Sequence, residues 1–200
     1  MSAAPPKILV AAIGNPDRGD DGIGILVASR LSGRLPPDVA LTIRSGDILS
    51  IIEDWAGFYA VICIDAAATI GVPGRIHRIA AAAGGLPVDL SFPSCHAFGL
   101  AEAIALGRAL HSLPETVIVY AIEGNCFEGG ATVTPAVSLA AGQVVEAIVA
   151  EVNRLRSEER GDLAHNTGNG VSLDVDGVAP RRLFSQDPVR EGPHRRQREL

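Results

Sequence analysis

Residues 7–24 read KILVAAIGNPDRGDDGIG. The short apolar run over residues 7–13 predicts a buried β-strand that ends at Gly14, and an apolar helical pattern begins at Ile23. Between them lies a polar loop that is rich in glycine and aspartate. A strand, a loop and a helix in this order are typical of the first half of a βαβ unit.

The chain continues as an alternation of strands and helices up to about residue 155. Such an alternation predicts an α/β fold, a three-layer sandwich in which a mostly parallel sheet of about five strands lies between helices. The strands are continuous apolar runs, as expected for a sheet that is buried on both faces. Strands are predicted at residues 7–13, 39–44, 59–65 and 116–122, an edge or antiparallel strand at 74–79, and helices at 23–31, 47–55, 96–111 and from Pro135 onward.

The sequence changes character near residue 157. The last 44 residues hold seven arginines and eight acids, with scattered glycine and proline and no sustained period. Such composition is typical of a chain that cannot bury enough apolar surface to fold. We therefore predict one α/β domain over residues 1–156 and a flexible C-terminal tail over residues 157–200.

Composition excludes several classes of function. The formal net charge of -6 argues against nucleic acid as a partner. No apolar run reaches the roughly 18 to 20 residues of a membrane span, and residues 1–6 lack the features of a signal peptide, so a cytoplasmic protein without a membrane partner is expected. Cys63, Cys95 and Cys126 contain no CxxC pair, which indicates neither a disulfide framework nor a zinc knuckle.

Three side chains, far apart in the sequence, are candidates for a metal site. Asp21 lies in the first loop, Asp65 ends an apolar strand, and His96 opens a helix. The carboxyl ends of parallel strands share one edge of a sheet, where ligands bind, so these side chains can converge there. Two carboxylates and an imidazole suit a borderline divalent metal such as nickel or zinc and leave positions open for water or substrate. Without a metal, the two acids would repel and one would keep its proton.

Each candidate also has an ordinary structural interpretation. Asp20 and Asp21 could cap a helix. This role is compatible with a metal site if Asp20 caps the helix while Asp21 points outward. For Asp65 the functional interpretation is favoured, because burying an acid at the end of a strand costs desolvation free energy unless the acid is paired or exposed. A lone His96 is more often structural.

A nucleotide-binding protein is disfavoured because the glycines lack GxGxxG spacing and the acids would repel a pyrophosphate. The remaining histidines offer no constellation: His77, His111, His165 and His194.

Four segments together resemble the nickel–iron hydrogenase maturation endopeptidases, in the right order over residues 7–155. They are residues 14–24, residues 61–66 around Asp65, residues 94–102 around His96, and residues 119–124 followed by 127–130. The resemblance implies an α/β protein with a twisted sheet. It also implies a hydrolase, an endopeptidase that clips a short C-terminal extension from the hydrogenase large-subunit precursor once nickel has been inserted.

The resemblance assigns the metal ligands to Asp21, Asp65 and His96, which would also be the catalytic residues. Two features depart from the family pattern. Some members have glutamate where this chain has Asp21, and Cys95 beside His96 is not expected in the third segment. Cys95 is interpreted as a packed small residue rather than as an extra soft ligand.

The expected mechanism starts from nickel that the precursor already holds. Asp21, Asp65 and His96 would engage that nickel, so an empty precursor would bind poorly. Either the metal or a carboxylate would activate water for peptide hydrolysis. A carboxylate that acts as the general base would make the protein an aspartyl protease. No Ser-His-Asp or Cys-His arrangement is evident. The alternative is a non-enzymatic metal or precursor chaperone on the same fold.

Overall fold

A computed structural model describes residues 7–45, 48–87, 90–92 and 99–167, apart from the side chains of residues 48, 49 and 160–167. The strands are β1 (Ile8–Ile13), β2 (Val39–Arg44), β3 (Ala60–Ala68), β4 (Ile76–Ala80) and β5 (Thr116–Gly124). The helices are α1 (Ile23–Leu31), α2 (Ile48–Asp54), α3 (Ala81–Gly84), α4 (Leu100–Ala109) and α5 (Pro135–Thr167), and a 3-10 turn, Gly19–Gly22, precedes α1.

The five strands form one sheet in the order β2-β1-β3-β5-β4. The first four strands in this order are parallel, and β4 pairs antiparallel with β5 at one edge. The predicted α/β sandwich with a mostly parallel sheet is therefore confirmed. Because β1 and β3 are neighbours, the loop after β1 lies beside the carboxyl end of β3.

Two apolar layers cover the two faces of the sheet. Val10 and Ala12 of β1 face one cluster, which α1 and α5 complete. Leu9 and Ala11 face the other, to which Trp55, next to α2, and α4 contribute. Burial on both faces explains why the central strands read as unbroken apolar runs.

Helix α5 differs from its prediction in two ways. It continues through Thr167, so the expected boundary at residue 157 falls inside a helix, while residues 168–200 lie outside the described residues. By length and composition alone its segment Pro135–Glu159 could cross a membrane, since an 18-residue window of it has a mean hydropathy of 1.4, so the expectation that no such run exists is wrong. Val144 and Ile148 are fully buried against the sheet, however, as in the core helix of a globular domain.

Several other boundaries differ from the sequence-based expectation. Strand β3 runs three residues past Asp65, because β5 continues to pair with it up to Gly124. Within the described residues the fourth helix begins at Leu100, where the Glu102 carboxylate accepts a hydrogen bond from the Gly99 N–H. The short α3 follows β4 in a segment for which no helix was predicted.

Gly24 allows α1 to begin directly against β1. A Cβ atom at this position would lie 2.1 Å from the Ile13 carbonyl oxygen and 2.9 Å from its nitrogen. We predict that Gly24→Ala lowers the free energy of unfolding by about 1 to 3 kcal/mol, because the backbone must move. Urea denaturation measures this change. Gly142→Ala in α5, where a Cβ meets nothing within 4 Å, is the control and should stabilise the protein slightly. Equal effects of the two substitutions would contradict the packing argument.

Candidate functional site

The loop after β1 folds back over the end of its own strand. Gly14 has a φ of +137° and Gly19 a φ of +56°, conformations that favour glycine. A Cβ on Gly14 would lie 1.9 Å from the Asp21 carbonyl oxygen. This close approach brings Asp21 to the carboxyl edge of the sheet.

Asp20 is fully buried and holds a distant loop rather than its own helix. One carboxylate oxygen accepts hydrogen bonds from the N–H groups of Asn125 (2.8 Å) and Cys126 (3.0 Å). The other accepts from the Thr134 N–H at 2.7 Å. The N-cap of α1 is Gly22, which makes no side-chain cap, so the interpretation of Asp20 as a cap of that helix is wrong.

Asp21 is buried, with 5% of its surface exposed. Burial raises the pKa of its carboxyl, and two weaker influences oppose the rise: the charge of Arg18 and a backbone hydrogen bond from Asn15. The Arg18 guanidinium lies 3.5 Å from the carboxylate, a distance that gives only a loose ion pair. Arg18 therefore does not compensate fully for the lost water.

Asp65 follows Ile64, the last residue of β3 that pairs with β1. Its strand neighbour on the other side is Ala121 of β5. Burial raises the pKa of Asp65 to about 8, with a smaller contribution from the negative charge of Asp21 and against the hydrogen bond from the Ala66 N–H. The structure thus brings Asp21 close enough for its charge to affect Asp65.

The same face of β3 carries Cys63, two residues before Asp65. Burial and the neighbouring Asp65 raise the pKa of this thiol to about 12, so it stays protonated and inert. Cys63 is a small residue of the apolar core.

The contrast with the other buried acids sets Asp21 and Asp65 apart. Asp20 accepts three backbone hydrogen bonds, and Glu151 lies between two arginines, with the Arg78 hydrogen bond as the main cause of a pKa lowered to about 2. Among the described residues, Asp65 accepts one hydrogen bond and has no cationic partner. Buried carboxyls that lack such partners are typical of functional sites.

His96 and Cys95 lie outside the described residues, so the third predicted ligand stays a prediction. The described part of the chain contains no group of three metal-binding side chains. Leu100, at the start of α4, packs in the apolar cluster on the face of β3 that Cys63 and Asp65 share. The helix that follows His96 is therefore on the side of the sheet that carries Asp65.

Sequence reasoning gave no role to Glu123, which is fully buried at the end of β5. One oxygen accepts the N–H groups of Ile70, Gly71 and Val72, and the other lies 2.9 Å from His77 Nε2. Burial acts to raise the pKa of Glu123, but these hydrogen bonds, with that of His77 foremost, lower it. Glu123 thus fixes the loop after β3 and pairs with His77, a contact that the sequence analysis did not predict. The available signal was an acid at the end of a buried strand, as for Asp65.

The fold and the edge site define a class: an α/β sandwich with two buried, weakly compensated acids at the carboxyl edge of its sheet. Solved structures with this fold include the hydrogenase maturating endopeptidase HybD from E. coli, with a TM-score of 0.62 and 21% identity over 74% of this chain and 93% of that chain. Another is the [NiFe] hydrogenase maturation protease HycI from Thermococcus kodakarensis KOD1, with a TM-score of 0.57 and 22% identity over 74% of this chain and 92% of that chain. A third is the solution structure of an endopeptidase from Escherichia coli, with a TM-score of 0.63 and 20% identity over 74% and 93% of the two chains.

No protein-family profile and no curated protein matches the chain. The chain nevertheless has the fold of the [NiFe] hydrogenase maturation proteases, as the four sequence segments indicated.

Proposed function

We propose that the protein is an endopeptidase that removes the C-terminal extension of a [NiFe] hydrogenase large-subunit precursor after nickel insertion. The observation that carries the proposal is the buried pair Asp21 and Asp65, in which burial raises both pKa values and the charge of Asp21 disfavours ionisation of Asp65. Such a pair ionises fully when a divalent cation lies between the two carboxylates. The shared fold supports the same activity.

The cation in this proposal is the nickel that the precursor carries. Asp21 and Asp65, with His96 as third ligand, would contact that nickel while the C-terminal extension lies beside it. Two carboxylates and an imidazole match the preferences of this metal. Because contact with nickel supplies part of the docking free energy, a nickel-free precursor would bind weakly and would not be cleaved.

The raised pKa of Asp65 gives the nickel requirement a second physical basis. With a pKa of about 8, this carboxyl holds a proton at neutral pH, and a protonated acid cannot act as a general base. A cation that displaces the proton yields a carboxylate that binds metal or accepts a proton from water. The hydrolytic water is activated either by the metal or by one of the carboxylates.

The remaining features of the chain agree with a cytoplasmic protein that acts on a polypeptide. Cys63 and Cys126 are free thiols. The net charge of -6 disfavours nucleic acid as a substrate.

The test is the mass of the precursor's C-terminus after incubation with the protein, with and without nickel in the precursor. We expect the wild-type protein to shorten only the nickel-loaded precursor. Three variants should lose both this cleavage and tight binding of the precursor: Asp21→Ala, Asp65→Ala and His96→Ala. A precursor that binds at full length would instead support the non-enzymatic chaperone. Full processing by all three variants would contradict the assignment of the site.

A further inference from the structure

Strand β2 lies at the edge of the sheet, with β1 on its inner side. The Arg44 carbonyl accepts a hydrogen bond from the Gly14 N–H at 3.0 Å, so the backbone groups of Arg44 point toward β1. Successive residues of a strand point to opposite sides. The N–H and C=O groups of Leu41 and Ile43 therefore point away from the sheet, and no strand in the described part of the chain pairs with them.

Within the described residues the outer edge of β2 has little of the usual protection against pairing. Edge strands in natural sheets commonly carry charges or proline, whereas β2 reads VALTIR, and the backbone groups of its one charged residue, Arg44, point toward β1. The side chains of Leu41 and Ile43 are 36% and 49% exposed. Outward backbone groups beside exposed apolar side chains are what an added peptide strand requires.

A pocket of about 480 Å³ lies at the carboxyl end of β2. Ile25 and Ile43 supply apolar surface, and polar groups are contributed by the loop after β1 and by the residue after β2. Its volume suits one or a few peptide side chains. The lining residues are Gly14, Asn15, Pro16, Asp17, Ile25, Ile43 and Ser45.

Gly14 lies between the pocket and the backbone of Asp21. A Cβ atom on Gly14 would lie 3.7 Å from Ile25 Cδ1, a pocket residue, and 1.9 Å from the Asp21 carbonyl oxygen. A chain that occupies the pocket is thus adjacent to the loop that carries Asp21. This adjacency places a chain that binds β2 beside the loop of the candidate site.

We propose that an extended segment of the polypeptide substrate adds as a strand to the outer edge of β2 and places an apolar side chain between Ile25 and Ile43. This inference rests on the proposed function, because only a polypeptide offers the matching backbone groups. Backbone pairing supplies affinity without regard to sequence, and the pocket selects the side chain.

Two substitutions at Ile43 test the docking. Ile43→Pro removes an N–H that points outward and also shortens the apolar side chain at the pocket, while the sheet keeps its own hydrogen bonds. Ile43→Lys places a charge at the apolar wall. Each should weaken binding of the nickel-loaded large-subunit precursor from the same organism about 10-fold, with little change in the cleavage rate at saturating precursor. Leu139→Lys, at a residue of α5 that is 74% exposed, is the matched control and should bind normally.

Hydrogen exchange of the wild-type protein tests the same contact without substitution. The amides of Leu41 and Ile43 should exchange rapidly in the free protein and at least about 10-fold more slowly with the precursor bound.

Protection without cleavage would support the docking and refute the protease. Cleavage without protection, and with normal binding by both Ile43 variants, would overturn the docking alone. Protection in the free protein, or only at high protein concentration, would show that this chain covers its own edge and would overturn the inference. A precursor that is neither bound nor cleaved would overturn both proposals.

Discussion

Asp65→Asn is expected to abolish precursor processing, by about 100-fold or more, while making the protein more stable at pH 7. The loss follows because an amide cannot ionise to bind a cation or accept a proton, and metal sites are sensitive even to changes around their ligands. The gain follows from burial, which favours a neutral side chain at this position. Few substitutions of an ordinary structural acid in a protein core have this pair of effects.

The raised pKa of Asp65 makes the free energy of unfolding depend on pH. Asp65 has a pKa of about 8 in the folded protein, against 3.8 ordinarily, so between these values the folded state holds a proton that the unfolded state has lost. The free energy of unfolding therefore falls as the pH rises from about 4 to about 8. Asparagine removes this dependence, and its advantage should reach about 1 to 4 kcal/mol at pH 7 and shrink near pH 4.

Thermal melts at several pH values, with processing assays beside them, measure both effects. Glu128→Gln removes an exposed carboxylate from the loop between β5 and α5 and should change neither quantity. An Asp65→Asn variant that processes the precursor normally, or that is less stable than the wild type at pH 7, would contradict this account of the site.

Asp20→Ala should have the largest effect on stability, lowering the free energy of unfolding by about 3 to 5 kcal/mol. The substitution leaves the N–H groups of Asn125, Cys126 and Thr134 without their acceptor in a buried location. It also weakens the attachment of the loop between β5 and α5 to the turn that precedes α1, leaving backbone hydrogen bonds such as that from the Asp20 N–H to the Cys126 carbonyl (2.7 Å). For a domain of this size the melting temperature should fall by roughly 10 °C or more.

Calorimetry or urea denaturation measures the loss, and Asp17→Ala, at an exposed aspartate of the same loop, is its control. Adjacent acids in one sequence motif are thus expected to differ in kind: Asp20 maintains the fold, and Asp21 serves the site. An Asp20→Ala protein that melts like the wild type would show that these hydrogen bonds contribute nothing.

The fold could be predicted largely from local sequence. Apolar runs of strand length around residues 8–13 and 116–124 lie between helical patterns, and this alternation restricts the topology to a sandwich with a parallel sheet. That topology in turn placed Asp21 and Asp65 at one edge before any contact was known. Asp65 could be singled out by its position at the end of an apolar strand, because burying an acid there costs free energy.

Contacts between distant loops could not be predicted. Asp20 binds backbone groups more than 100 residues away, and Glu123 binds the backbone of residues 70–72; neither contact leaves a periodic signal. The end of α5 was missed for a different reason. Its apolar period stops at Leu155, but charged residues such as Arg154 and Glu158, which pair at 2.5 Å, continue the helix without a buried face.

A calorimetric titration with Ni²⁺ at pH 7, in buffers of different protonation enthalpy, tests most directly whether the buried acids share one cation. The wild-type protein should bind Ni²⁺ and release about one proton from Asp65, because its pKa of about 8 leaves that carboxyl mostly protonated beforehand. Asp65→Asn should bind the ion more weakly and release correspondingly fewer protons. Equal affinity and equal proton release in the two proteins would contradict the shared cation site.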